Sequence, residues 1–282
     1  MSKRIKADLM LLLATVFWGM TFVTVKDAMN YSGTFSFLFM RFFLGALAVF
    51  PFAVKNFKYF NRRTMVDGAV LGILVFLGFA LQTAGLRETS STRSAFITGL
   101  SVVLVPVISF IMYRTRIDIF KIIGIVLSAG GLFLMFRPEN GPLNRGDVLT
   151  VLCAFTFALI IVLIQRFSKR SNVLLLVFMQ ITIVASISLV LMFLTKDINI
   201  TFNGNLALDL IFTSVFATAG ALVLQYKYQK QTSEARAAII YTLEPLFASI
   251  FAFIIFNERL SSIGLIGGAL IFLGMIMSEF GS

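Results

Sequence analysis

The sequence predicts an all-α polytopic membrane protein of ten transmembrane helices, arranged as two inverted five-helix repeats. Three observations predict it. Hydrophobic residues make up 59% of the 282 and charged residues only 13%, where soluble domains carry about 45–50% and about 25%. The chain resolves into ten apolar runs, each close to the roughly 20 residues that cross a 30 Å hydrocarbon core. The second half of the sequence repeats the first.

The runs fall at 7–26, 35–54, 66–86, 94–113, 118–136, 147–166, 173–195, 207–228, 235–256 and 261–280. They are continuous, whereas barrel strands alternate and are about ten residues long. The first run ends at Val25-Lys26-Asp27 without a small-residue cleavage site, so it reads as a retained span. The longest connections, near 55–65, 137–146 and 196–206, leave no room for a soluble domain.

Net charge is +11, but the cations sit in short loops between apolar runs. They orient the chain; they do not mark a nucleic-acid partner. With the N-terminus in the cytoplasm, 16 Lys and Arg fall on inner segments, Lys55, Lys58, Arg62, Arg63, Arg116 and Arg236 among them. Seven fall outside: Lys26, Arg87, Arg93, Arg137, Arg145, Lys196 and Arg259. That bias predicts a cell-membrane protein with both termini cytoplasmic.

Composition also excludes chemistry. There is no His and a single Cys, Cys153, inside an apolar run. Histidine-based dyads, an imidazole metal site and an internal disulfide are all ruled out. No GxxxxGK[ST] sequence is present, so the chain does not hydrolyse ATP. Neither cofactor nor metal is expected. An intramembrane enzyme would need acids or His clustered at one membrane face, and the sequence has no such cluster.

A shift of 143 overlays 89–136 on 232–279 without a gap, with 13 identities in 48 positions. Arg93 meets Arg236, Arg116 meets Arg259, Gly124 meets Gly267, Gly131 meets Gly274 and, upstream, Gln82 meets Gln225. A shift of 139 pairs Asp8 with Asp147, Trp18 with Phe157, Met40 with Met179 and Arg41 with Gln180. The halves are 1–139 and 140–282. Five helices per half turn the second half upside down, an arrangement used by secondary transporters with a site near the midplane.

Several stretches resemble one family: "FWGMTFV", "MRFFLGAL", "GFALQTAGLRETSSTRSAFITGLSVVLVP", "LEPLFASIFAFIIFNERL" and "GLIGGALIFLGMI". The whole chain is similar to ten-helix, EamA-like members of the drug/metabolite transporter superfamily. The resemblance implies export or exchange of small metabolites, often amino acids or related compounds. One departure stands out: "RTRI" at 114–117 replaces the "NERL" of 257–260, so Thr115 stands where Glu258 stands.

Candidate site residues follow from depth. At 1.5 Å per residue, Glu244 lies roughly 14 Å into its run, Trp18 roughly 16 Å and Arg41 roughly 9 Å. A lone midplane carboxylate is costly unless neutral, paired or wet. Glu244 is therefore either a substrate or proton-coupling site or a structural hydrogen-bonding group. Tyr241 and Glu244 share a helical face, and their repeat partners are Thr98 and Ser101. Trp18 reads as cavity wall or as helix packing. Arg41 binds a carboxylate or phosphate, snorkels outward, or pairs within the protein. Gln82 and Gln225 read as linings of opposite mouths or as helix contacts. The partners expected are a small-molecule substrate and the lipid bilayer, for a monomer or a homodimer. The alternative cargo is a lipid or amphipathic drug, moved by a flippase of the same superfamily.

Overall fold

The computed structural model describes residues 3–114, 118–136, 142–231 and 240–280. Thr115, Arg116, Arg137 and Arg236, which enter the charge count and the repeat, lie outside the described residues. The described chain is all-helical, apart from an isolated bridge between Ser32 and Ile200.

The helices are α1 (Lys3–Ala28), α2 (Thr34–Ala53), α3 (Arg62–Leu86), α4 (Ser91–Tyr113), α5 (Ile119–Met135), α6 (Arg145–Arg170), α7 (Val173–Leu194), α8 (Gly204–Tyr228), α9 (Glu244–Phe256) and α10 (Ser262–Phe280). Seven of these are long and apolar enough to cross a bilayer; α5, α9 and α10 are shorter apolar helices. Polar caps set the starts of α3 to α8. The side chains of Asn61, Ser90, Asp118, Asn144, Asn172 and Asn203 each accept from a first-turn backbone N–H, satisfying donors the helix leaves free. Arg114 and Asn257, 143 residues apart, close α4 and α9 in the same left-handed conformation, with φ of 56° and 52°.

Two elements depart from plain helices. The apolar run at 235–256 reads as one helix, but residues 242–243 form a turn and α9 begins at Glu244. Pro245 is the cause. It has no N–H, and its ring excludes the carbonyl four residues back. Within α8, Phe212–Gly220 is wound as a π-helix, which adds a residue per turn and redirects the side chains that follow.

The first helix of each half packs chiefly on the third and fourth helices of the other. α1 lies against α8 and α9, and α6 lies against α3 and α4. α2 pairs with α7 on one flank and α5 with α10 on the other. The α5–α10 contact is backbone on backbone. A Cβ on Gly131 would stand 2.5 Å from Gly267 O, and one on Gly274 would stand 2.6 Å from Gly124 O. Small residues allow this approach, which gives membrane helices their van der Waals contact. The pairings 124 with 274 and 131 with 267 run antiparallel.

Adjacent glycines test this contact. Gly130 has nothing within 4 Å of its added Cβ, whereas Gly131 meets backbone. Gly130→Ala should raise the midpoint of thermal unfolding through helix propensity, worth about 0.5–1 kcal/mol. Gly131→Ala should lower it through overpacking, at about 1–3 kcal/mol. Thermal scans of both variants in one detergent check the opposite signs.

Candidate functional site

A cavity of ≈110 Å³ lies among α1, α3 and α4 of the first half and α6, α7, α8 and α9 of the second. Trp18, Gln82, Thr98, Ser101, Gln225, Tyr241 and Glu244 all line it. The structure thus brings together seven of the eight residues singled out in the sequence.

Each is held by a local reason. Trp18 Nε1 donates to Ala217 O at 3.1 Å, a carbonyl of the π-wound segment. The indole ring packs on Tyr241 with centroids 5.7 Å apart and planes 57° apart. Tyr241 in turn donates its hydroxyl to Gln229 Oε1 at 3.2 Å. Glu244 follows the break, in the first turn of α9, where the helix dipole favours negative charge. Its carboxyl makes no hydrogen bond or ion pair to a described residue. Glu244 lines the cavity. Thr98 Oγ1 is buried without a hydrogen-bond partner on the facing helix α4.

Arg41 is elsewhere. It is fully buried between α2 and α8, where Nε donates to Thr218 Oγ1 at 2.9 Å. Its guanidinium lies 4.6 Å from the Phe79 ring centroid and 5.4 Å from that of Phe42. It does not snorkel, and among the described residues it forms no ion pair and Nη1 and Nη2 have no hydrogen-bond partner. Phe79, which does line the cavity, stands over it.

Among the further residues that line the cavity and were not singled out from the sequence are Phe79, Phe157 and Gln180. Phe79 and Phe157 meet edge-on, with centroids 5.3 Å apart. Gln180 accepts from the buried Tyr226 hydroxyl at 3.0 Å, and its Nε2 is unpartnered. A signal for two of them existed. Phe157 is the repeat partner of Trp18 and Gln180 that of Arg41, so carrying the candidates across the repeat register would have found both.

Beyond the cavity, each end of the bundle is pinned by charges that join the halves. At the end where α4 and α6 begin, Glu258 accepts from the backbone N–H groups of Ser91 and Thr92, each at 3.1 Å. Lys26 lies 3.4 Å from Glu258 and donates to Thr89 O at 2.8 Å. Beside them the buried pair Arg93–Asp147 closes at 2.8 Å, and Thr89 donates its hydroxyl to the same carboxylate at 2.8 Å. At the other end Arg170 holds Asp67 through Nε, at 2.8 Å, and through Nη2, and Ser171 donates to Asp67 at 3.1 Å. A carboxylate with this many donors is well compensated for its burial.

Comparison with known proteins agrees with this architecture. The EamA-like transporter family matches residues 5–137 and 144–280. An uncharacterized transporter of Archaeoglobus fulgidus is 35% identical over 276 residues, 98% of this chain and 86% of that protein. The uncharacterized transporter YoaV of Bacillus subtilis is 22% identical over 98% of this chain and 97% of its own. One solved crystal structure superposes with a TM-score of 0.71 at 14% identity, covering 97% of this chain and 96% of that one, a likeness of fold. The match over both halves of the sequence, joined to the polytopic helical fold, shows that the chain belongs to the EamA-like transporter family of the drug/metabolite transporter superfamily.

Proposed function

We propose that the chain is a secondary transporter that moves a small polar or amphipathic metabolite, an amino acid or a related compound, outward across the cytoplasmic membrane by alternating access. The observation that carries this reading is the broken helix before Glu244. Non-helical backbone at membrane depth is tolerated where it lines a cavity, and half-helix ends at the midplane are where transporters bind charged groups. Here a half-helix begins with a carboxyl at the cavity wall.

In this reading all ten helices span, with both termini cytoplasmic. Residues 1–139 and 140–282 form two halves related by a two-fold axis in the membrane plane. The reciprocal contacts of Gly124 with Gly274 and Gly131 with Gly267 support it. Symmetric surfaces meet as i on j and j on i, and an antiparallel meeting calls for an axis across the helices. The exchange of first helices between halves supports it again. Trp18, Tyr241, Thr98, Ser101 and the two glutamines then contact the substrate, and Glu244 couples protons to its movement. The volume of ≈110 Å³ favours a small metabolite over a two-chain lipid, being below the roughly 300–1,000 Å³ of drug-sized sites.

Glu244 gives the functional test. In proteoliposomes, Glu244→Gln should abolish the pH dependence of uptake while counterflow without a gradient survives, because the amide mimics the neutral acid permanently. An unchanged pH profile in Glu244→Gln would remove the coupling role and leave a facilitator. If Glu244 only holds helices together, Glu244→Leu should lower thermal stability while Glu244→Gln transports like wild type.

Orientation has its own test. In a Cys153→Ala background, a cysteine at Arg62 should react with a membrane-impermeant thiol reagent only after the membrane is opened. One at Arg145 should react from outside in intact cells. Labelling of the Arg62 position in intact cells would reverse the topology.

A further inference from the structure

A crevice of ≈850 Å³ opens on the lipid-facing side of α2, α7 and α8, away from the central cavity. Its walls are apolar, with Phe52 on α2, Leu174 on α7 and Val215 and Val223 on α8. Phe52 and Val215 are exposed, at 61% and 42%. From Val215 to Lys227 the crevice follows α8 for about 18 Å at 1.5 Å per residue. That is close to the depth of one leaflet, half of a hydrocarbon core of about 30 Å.

The crevice does not end blindly. Ser171 and Asn172 line it and also line a second cavity of ≈440 Å³ at the end of the bundle. The second cavity is polar, with Lys58, Asn61, Thr64 and Arg170 around it. Arg170 is neutralised by Asp67. Lys58 and Lys227 are not. Each ammonium sits over a neighbouring tyrosine ring, at 5.0 Å and 5.4 Å, and neither pairs with an acid among the described residues. An apolar slot one leaflet deep, with Lys227 on its wall, thus runs into a polar pocket that carries Lys58, and neither cation is neutralised by a described acid.

We propose that the joined crevice binds one anionic phospholipid, its acyl chain along α8 and its phosphate and headgroup at the end that carries Lys58, Ser171 and Lys227. Of the helices that border both the site and the central cavity, α8 links them through the π-wound segment. Val215, Ala219 and Gly220 of the π-wound segment form the back of the crevice. Between them, Ala217 O holds Trp18 and Thr218 Oγ1 holds Arg41. A chain lying in the slot braces the segment that positions the cavity wall, and its removal frees that segment to move.

The test uses the full-length protein, stripped of lipid in detergent and then offered phosphatidylglycerol or phosphatidylcholine. Bound lipid is counted by native mass spectrometry, and Trp18, the only tryptophan, reports by fluorescence. Wild type should retain one phosphatidylglycerol about fivefold or more in preference to phosphatidylcholine, since each basic residue near a headgroup is worth about 1 kcal/mol. Lys58→Gln with Lys227→Gln should bring that preference near unity and leave phosphatidylcholine retention unchanged. Ala48→Phe, which narrows the slot, should reduce retention of both lipids and remove the Trp18 response. Val223→Phe carries the same comparison if Ala48→Phe unfolds. Equal retention of the two lipids by wild type, or retention unchanged in the filled variants, would overturn the proposal. So would displacement of phosphatidylglycerol by glycerol 3-phosphate at equal concentration, because the tail would then contribute nothing. None of these readouts requires transport, so they stand or fall apart from the proposed function.

Discussion

A bilayer offers no water to an unpaired backbone group, so every departure from helical hydrogen bonding must be met inside the protein. Among the described residues, two such departures meet at the cavity: one carries Glu244 on its wall and the other holds Trp18 there. Pro245 breaks the helical run before Glu244, and the π-wound segment of α8 leaves Ala217 O available to the indole of Trp18. The two irregular elements belong to the second half of the chain. Their counterparts α3 and α4 in the first half run unbroken for 25 and 23 residues. Glu244 sits on the cavity wall at the helix break.

Polar groups at the two ends of the bundle hold these walls in place. Glu258 caps α4 from the loop before α10, and Asp147 of α6 takes the guanidinium of Arg93 from α4. Both links run between the halves, and in the proposed cycle the opening of that end would have to break them. The repeat position of Glu258 is Thr115. A threonine has no carboxylate to cap the corresponding helix, so the two ends of the molecule are chemically unequal although the helices repeat.

Much of this was legible in the sequence. The seventh run was expected at 173–195, and α7 is Val173–Leu194. Hydrophobic length alone determines such a boundary, and Asn172 supplies its cap. Tyr241, Glu244, Thr98 and Ser101 could be named because they are polar at a depth where polarity is costly. What escaped the reading depends on contacts distant in sequence. Pro245 was visible, yet the apolar run continues through it, and hydropathy does not register a missing N–H. The π-wound segment has no composition of its own. Arg41 could have snorkelled or paired. Only the packing of α2 on α8, with Phe42 and Phe79 over the guanidinium, excludes both. The partners in Lys26–Glu258 are more than 200 residues apart, beyond any local pattern.

The central claim is that the cavity opens to one side of the membrane at a time. Its most direct measurement is the reactivity of a cysteine at Ser101, in a Cys153→Ala background, toward an impermeant thiol reagent applied to each face. Labelling from either face is the predicted result. Joining cysteines at Lys26 and Glu258 with a bifunctional thiol reagent before labelling should abolish reaction from that face and leave the other intact. No labelling from either face, or labelling from both that the cross-link leaves unchanged, would contradict alternating access through this cavity.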